Sequence, residues 1–410
     1  MAGLNEAPRG NRIHVAFFGL RNAGKSTLVN AFTGQQIAIV SDVPGTTTDP
    51  VSKAMEILPL GPCLVTDTAG LDDVGELGKQ RVERTLKVLE TTDIAVWVWG
   101  KMDGSDSDKR SGDRFPVFAA ECRKCGTVVI EYRRGDSVEE LKKKIAAVKL
   151  EEKVPGLLDG LVRKGDRVLC VVPIDESAPK GRLILPQQQV IRECLDKGIV
   201  CTICQPEALV EFLSWGVFGL RDRLLIVTDS QAFGRVTQTL RNSNTQNLKL
   251  TSFSILFARQ KGNLGEYARG LKAIKELKDG DAVLVAEGCT HHRQCNDIGA
   301  VKIPKALEKL SGRKLKFEFA SGGEFELNRG GETPPPQDDG VLNIRTFKHS
   351  NISLVVHCGG CMLTRREMQR RIAQAKEAGV PIVNYGLVLA MANGVGLESL
   401  EGLGSLGGEE

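Results

Sequence analysis

Aromatic residues are scarce, 5% of the 410-residue chain. A nucleic-acid surface built on base stacking needs such platforms, so nucleic acid is not expected as a partner. Charge of either sign is no more prominent: 55 Lys and Arg against 51 Asp and Glu leave a net +4. The basic runs are mixed with acids, as solvated helix faces are: Lys142-Lys143-Lys144 follows Glu139-Glu140, and Arg365-Arg366 precedes Glu367. No apolar run approaches the roughly 18 to 20 residues that cross a bilayer. Met1 to Asn11 has no hydrophobic signal core. The expectation is therefore a cytoplasmic protein with no membrane partner.

What is present is ordinary globular material, 41% hydrophobic and 26% charged. At about 150 residues per domain the length gives roughly three domains. An apolar strand over 13–18 leads into a glycine-rich loop and a helix over 25–32. A second strand ends at Asp67, a charged helix covers 77–90, and a third strand covers 94–99. Strands alternating with helices predict a parallel sheet covered on both faces. The pattern lapses at Val154-Pro155-Gly156 and resumes with strands at 168–172, 199–203 and 224–228. A last series has strands at 282–286, 352–356 and 381–385, with helices over 264–277 and 364–378. The fold class expected is α/β: a P-loop domain with a parallel sheet (1–155), then two further α/β domains (165–262 and 263–410). Gly322 to Asp339, with Pro334-Pro335-Pro336, reads as a loop by composition. No internal repeat is evident.

Gly19-Leu20-Arg21-Asn22-Ala23-Gly24-Lys25-Ser26 fits G-x-x-x-x-G-K-[ST] between a strand and a helix. Glycines let backbone N–H groups face phosphate oxygens. Lys25 brings a charge to the β/γ-phosphates, and the Ser26 hydroxyl can ligate Mg²⁺, with Thr27 next to it. Asp67-Thr68-Ala69-Gly70 ends the next strand, where Asp67 can hold the magnesium water shell and Gly70 can sense the γ-phosphate. Pro44-Gly45-Thr46-Thr47-Thr48-Asp49 lies between them, with Thr47 the chosen magnesium ligand. The expected nucleotide site is thus Gly19, Asn22, Ala23, Gly24, Lys25, Ser26, Thr27, Thr46, Thr47, Asp67 and Gly70. Lys25, Thr47 and Asp67 are its catalytic members. The set resembles translation-factor-like GTPases of the Era and tRNA-modification type. That resemblance implies GTP, Mg²⁺ and potassium-assisted hydrolysis, with Asn22 at the K⁺ position. Leu71 stands where a water-orienting Gln would be, so slow turnover is expected without K⁺ or a partner. The guanine-reading Asn-Lys-x-Asp is absent. Gly100-Lys101-Met102-Asp103 comes too soon after Asp67, and Glu131-Tyr132-Arg133-Arg134 does not fit.

Eleven cysteines, an odd number, argue against a disulfide framework in a chain read as cytoplasmic. Four of the five histidines follow residue 290. Cys289-Thr290-His291 follows one strand end and His357-Cys358-Gly359-Gly360-Cys361 another. Three thiolates from two strand ends, with a position left open or filled by His, suit a 4Fe–4S cluster with an exchangeable site. Zinc held as Cys₃His is the alternative. Cys201 and Cys204 fall in an apolar strand and read as buried small hydrophobes. Cys122 and Cys125 read as a surface thiol pair without a second half, Cys295 as a spectator, and His14, His292 and His349 as structural.

An N-terminal GTPase joined to this Cys/His pattern looks like the FeFe-hydrogenase maturation GTPases, the HydF type. The likeness runs over nearly the whole chain. It takes in Gly3-Leu4-Asn5-Glu6-Ala7-Pro8, Pro173-Ile174-Asp175 and the stretch Ala178-Pro179-Lys180-Gly181-Arg182-Leu183-Ile184-Leu185-Pro186. It continues through Thr228-Asp229-Ser230-Gln231-Ala232-Phe233, Thr251-Ser252-Phe253-Ser254, Asp297-Ile298-Gly299 and Asn384-Tyr385-Gly386. The resemblance implies GTPase, dimerisation and cluster domains, a homodimer, and a 4Fe–4S cluster on Cys289, Cys358 and Cys361 with His291 or His357 near the fourth position. It also implies a scaffold that receives a diiron precursor made with two radical-SAM maturases and transfers it to the hydrogenase apoprotein, GTP gating partner exchange. About 65 residues between His291 and His357 exceed the usual spacing, which the Pro-rich insert accounts for because loop closure grows slowly with length. Two other readings stay open: a cluster carrier whose nucleotide domain binds but hydrolyses poorly, and an Era-like GTPase with a structural zinc domain.

Overall fold

Strand β1 (Ile13–Phe18) alternates which face each side chain serves. Val15 and Phe17 enter a core with Leu28, Val29 and Phe32, while Ala16 and Phe18 enter another with Leu89, Trp97 and Phe118. In this computed structural model, residues 9–35, 50–72, 76–100, 106–150, 155–174, 183–214, 223–230, 232–242, 248–288, 297–322, 325, 327 and 351–394 are described. The chain divides into two compact units, Met1–Lys153 and Val154–Glu410.

After β1 the first unit continues with α1 (Lys25–Thr33), β2 (Val51–Ile57), β3 (Gly61–Asp67) and α2 (Glu76–Glu90). Then come β4 (Ile94–Trp99), α3 (Asp106–Lys124), β5 (Val128–Arg133) and α4 (Val138–Ala146). The sheet order is β2-β3-β1-β4-β5. All neighbours are parallel except β2, which runs antiparallel to β3. The expected parallel sheet therefore carries an antiparallel edge, because three residues, 58–60, join β2 to β3 and cannot make a crossover. The mixed pattern Val-Ser-Lys-Ala-Met-Glu-Ile hid that half-exposed strand. Order reverses at β1, so the loop after it opens at the switch point of the sheet, where α/β proteins bind ligands.

The second unit holds two four-stranded parallel sheets. The first is built from β6 (Arg167–Val171), α5 (Leu185–Asp196), β7 (Val200–Cys204), α6 (Leu209–Ser214), β8 (Leu224–Thr228), α7 (Phe233–Arg241) and β9 (Leu248–Ser252). Helices α8 (Phe253–Lys261) and α9 (Leu264–Ala273) lead into the second. It contains β10 (Ala282–Glu287), α10 (Ile303–Ser311), β11 (Lys316–Ser321), β12 (Ile352–His357), α11 (Arg365–Glu377), β13 (Ile382–Asn384) and α12 (Tyr385–Ala392). The orders are β7-β6-β8-β9 and β11-β10-β12-β13. The topology is thus repeated, first strand second in the sheet, although the sequence shows no repeat. Each copy ends in a strand that turns directly into a buried helix, α8 capped by Ser252 and α12 capped by Asn384.

Helix α8 is buried almost all round, its first two turns apolar and its last turn carrying the buried Arg259 and Lys261. Ile255, Leu256, Phe257 and Ala258 are all buried in one core that reaches from Leu157 to Ala390 and is fed by both sheets. α8 packs against α5, α11 and α12. Leu256→Ala, at a fully buried position, is expected to destabilise the second unit by about 2–5 kcal/mol. Calorimetry of the full chain should show that loss with the transition of the GTPase unit in place.

Candidate functional site

The first site is the loop between β1 and α1. Two backbone conditions shape it. Asn22 adopts a left-handed conformation (φ 63°), and Gly70 lies so close that a Cβ there would stand 2.7 Å from the Arg21 nitrogen. Lys25 is buried, and its Nζ donates to the carbonyls of Gly19 (3.2 Å) and Leu20 (2.8 Å). The Ser26 hydroxyl donates to Asp67 Oδ2 at 2.6 Å, so the end of β3 and the start of α1 meet. Asp67 is fully buried and its second oxygen, Oδ1, has no partner among the described residues. Burial pushes its carboxyl pKa up, while Ser26 and the Lys25 charge pull it back. A buried carboxylate oxygen beside a hydroxyl is what a hydrated magnesium ion requires, so the residues present fit Mg²⁺. Ala23 is buried, and Thr27 lies exposed on the first turn of α1. Thr46 and Thr47 lie outside the described residues.

Leu71, by contrast, is buried with Ala16, Phe18 and Trp97. β5 runs to Arg133, three residues past its apolar stretch Val128-Val129-Ile130, so the turn after it is Arg134-Gly135-Asp136. The Asp136 carboxylate accepts from the Arg133 N–H at 2.9 Å, and Tyr132 donates its hydroxyl proton to the Asp136 carbonyl. An Asp thus ends the loop of the strand beside β4, hidden in the sequence because the apolar stretch stops before the strand does.

The second site lies at the C-terminal ends of β10 and β12, the switch point of their sheet. The Gly288 N–H donates to Cys358 Sγ at 3.1 Å, and the Cys358 N–H to the Ala286 carbonyl at 2.9 Å. Asn384, at the end of β13, donates to the Cys358 carbonyl at 3.2 Å. Burial pushes the Cys358 thiol up to about 12 and also raises Cys361, which the Lys261 ammonium opposes. Below them Lys261, 2% exposed, donates from Nζ to the carbonyls of Gly360, Cys361 and Leu363. Tyr267 is fully buried with its hydroxyl unpartnered among the described residues, and burial and the Cys358 sulfur raise its pKa. That hydroxyl touches the Gly262 turn, where a Cβ would stand 2.6 Å from it. An N–H already on one sulfur, an orphaned hydroxyl nearby and two half-buried thiols fit an anionic sulfur-bound group.

His357 departs from the expected ligand role. Its Nδ1 lies 2.8 Å from the Cys358 carbonyl, which can only accept, and its Nε2 2.9 Å from Arg371 Nη1, which can only donate. Both ring nitrogens are taken, so His357 braces the loop. Burial, then the Arg371 charge, lowers its pKa to about 3. Burial alone would raise the Glu367 carboxyl, but Arg370 and Arg371 outweigh it and hold it low. Cys289 and His291, like Cys295, His292 and His349, lie outside the described residues.

Three families of sequence meet on this chain. Residues 14–117 match a 50S ribosome-binding GTPase model, 157–262 the Hydrogen maturase F dimerization domain, and 265–401 the Hydrogen maturase F tetramerization domain. The last two together take in more than half of the chain. It belongs to the hydrogen maturase F family. Relatives of the GTPase portion include GTPase Der of Wolinella succinogenes, 39% identical over 120 residues, 28% of this chain and 25% of that one. Another is the tRNA modification GTPase MnmE of Acinetobacter baylyi, 38% identical over 95 residues, 23% of this chain and 20% of the relative. The chain spans about a quarter of the length of these curated relatives. A solved Era GTPase of Aquifex aeolicus with GDP and aluminium fluoride is 14% identical, with a TM-score of 0.25, covering 75% of this chain and 92% of that one; at that score the likeness carries no argument. Among the described residues no helix is long and apolar enough to cross a membrane.

The other thiols of this hydrogen maturase F chain also differ from expectation. Cys122 is fully buried against Phe18 and Trp97, so Cys122 and Cys125 are not a surface pair. Cys201 and Cys204 are half-buried, because β7 is an edge strand. Cys201 Sγ lies 3.8 Å from Cys170 Sγ, and contacts from Cys170 and Cys194 favour its thiolate.

A pH test isolates His357. Folded, it stays neutral to about pH 3, whereas unfolded it protonates near 6.5, so acid favours the unfolded state and the stability is lost as pH falls through that window. One proton corresponds to a slope of about 1.4 kcal/mol per pH unit. Urea unfolding of the metal-free chain between pH 6.5 and 5 should show that slope shrinking toward zero for this site in His357→Gln.

Proposed function

We propose that this chain is a GTP-hydrolysing scaffold and carrier that holds a 4Fe–4S cluster, assembles the diiron precursor of the FeFe-hydrogenase active site and passes it to the hydrogenase apoprotein. The family supplies the hydrogenase-maturation context. The observation that carries the cluster half is the Gly288 N–H on Cys358 sulfur near a Tyr267 hydroxyl unpartnered among the described residues, at the end of a strand that stops two residues before Cys289. Cys289, Cys358 and Cys361 are the thiolate ligands, with His291 near the fourth position. The cluster, when bound, offers an exchangeable iron coordination site to the precursor. The Gly288 N–H polarises the ligand sulfur, and His357, Arg371 and Glu367 hold the loop. The three working parts are 1–155 for nucleotide, 165–262 for dimerisation and 263–410 for the cluster. Two radical-SAM maturases are the partners upstream.

Dimerisation through the first sheet of the second unit agrees with its exposed edge strand β7, where Val200 and Ile203 are 62% and 46% exposed, and with Leu195 on the preceding helix α5, 71% exposed. Unpaired strand edges are templates for pairing, and a homodimer is the state proposed.

In the nucleotide unit Lys25 meets the β/γ-phosphates, and Ser26 and Thr47 ligate Mg²⁺ while Asp67 holds its waters. Gly19, Ala23, Gly24, Thr27, Thr46 and Gly70 line the phosphates. The burial of Leu71 removes any side chain from the water-orienting position, which favours slow turnover assisted by K⁺ at Asn22. Asp136 is the group proposed to read the guanine N1–H and amino group. Asp136→Asn should raise the Kd for GTP at least about tenfold, measured by fluorescent-nucleotide titration, with weak ATP binding unchanged.

Anaerobic iron and sulfide analysis with EPR tests the whole. About four irons per chain, with a reduced-cluster signal lost in Cys358→Ser, are expected for a 4Fe–4S site; zinc without iron would return the C-terminal site to a structural role. Lys25→Ala should abolish GTP hydrolysis and leave the iron content unchanged, since the two sites lie on separate sheets.

A further inference from the structure

Lys261 closes α8, at the end of the helix that both sheets of the second unit enclose. A buried ammonium is costly unless an opposite charge meets it, and most buried lysines are paired. Every polar partner of Lys261 among the described residues is instead a neutral carbonyl: Gly360 at 3.1 Å, Leu363 at 2.7 Å and, more loosely, Cys361 at 3.4 Å. The remaining contact is the Phe257 ring, 5.0 Å from Nζ. Arg371, the other fully buried cation of this region, is already neutralised by Glu367 at 2.6 Å. The three carbonyls belong to the turn that contains Cys361 and follows Cys358, so the charge sits under the loop that presents both thiols.

We propose that Lys261 is a positioning residue with two tasks: its ammonium clamps the 360–363 turn into ligating shape, and it is the counter-charge of an anionic sulfur-ligated cluster held there. The second task rests on the cluster reading given above; the first does not. A cubane core bound by thiolates is a net anion that becomes more negative on reduction, and a cation fixed against its ligand loop favours the reduced form. The residue also ties the last helix of the matched dimerization segment to a loop of the matched tetramerization segment. A neighbouring brace has the same span: Gln369 on α11 donates to the carbonyls of Lys261 (2.9 Å) and Gly262 (3.0 Å).

Lys261→Met keeps the aliphatic stem on Phe257 and removes charge and donors, whereas Lys261→Arg keeps the charge. In the metal-free full chain, amide hydrogen exchange over 358–363 should quicken at least about tenfold in Lys261→Met, since a loop released from its contacts opens more often. Unchanged exchange overturns the clamp. In the reconstituted chain, the ratio of reduced to oxidised cluster at a fixed poise should fall about tenfold in Lys261→Met, about 59 mV for a one-electron couple, and stay near wild type in Lys261→Arg. An unaltered midpoint potential in a Lys261→Met chain that keeps its iron overturns the counter-charge. A wild-type chain that takes up no iron refutes the cluster reading and the counter-charge with it, while the exchange measurement still decides the clamp. Should Lys261→Met not fold, Lys261→Gln gives both readouts.

Discussion

Parallel strands bring their C-terminal ends to one edge of a sheet, and the rest of this protein is arranged around that constraint. Where strand order reverses, the loops leaving two neighbouring strands diverge and a crevice remains. The first unit places Gly19 to Ser26 and Asp67 at such a crevice, and the last sheet places Gly288 and Cys358 at another. The intermediate sheet has the same order, and its equivalent strand ends are tied by Gln187, which donates to Asp229 at 3.0 Å. One geometric rule thus places a phosphate loop at one sheet edge and a cysteine loop at another.

The two sites use buried charge in opposite ways. At the phosphate loop, Lys25 rests on backbone carbonyls and Asp67 keeps an unpartnered oxygen, so both signs are present. At the cysteine loop, the ammonium of Lys261 lies against the carbonyls of the turn after Cys358, while Glu367 is consumed by two arginines. Low polarity makes each uncompensated group expensive; the residues of the first crevice fit a hydrated cation, and an anionic cluster is the counter-charge proposed for the second. His357 shows the complementary case. It is fully buried, fully hydrogen-bonded and neutral, and its work is to fix the Cys358 carbonyl against Arg371.

The second unit also explains how two α/β segments of repeated topology become one body. Each copy sends its last strand into an apolar helix, and α8 and α12 pack on one another inside a common core. Ser254 on α8 reaches the cysteine loop, where a Cβ on Gly359 would stand 3.1 Å from its hydroxyl.

Local chemistry was legible in the sequence wherever a function needs fixed residue types at fixed spacing. The phosphate loop, Asp67, the Cys-x-x-Cys and the strand–helix alternation all follow from neighbours in the chain, and the family likeness followed from the same strings. Tertiary structure alone decided what depends on residues far apart. The antiparallel β2 was hidden by its half-exposed pattern, and Asp136 by a strand that runs three residues further than its apolar stretch. His357 and Cys358 are adjacent in sequence, yet the histidine is withdrawn from ligation by Arg371, fourteen positions on. Lys261 lies about a hundred residues from the carbonyls it holds. Spacing along a chain specifies which groups are available; which of them face an open crevice and which are spent on one another is fixed only when the strands are stacked and the helices enclosed.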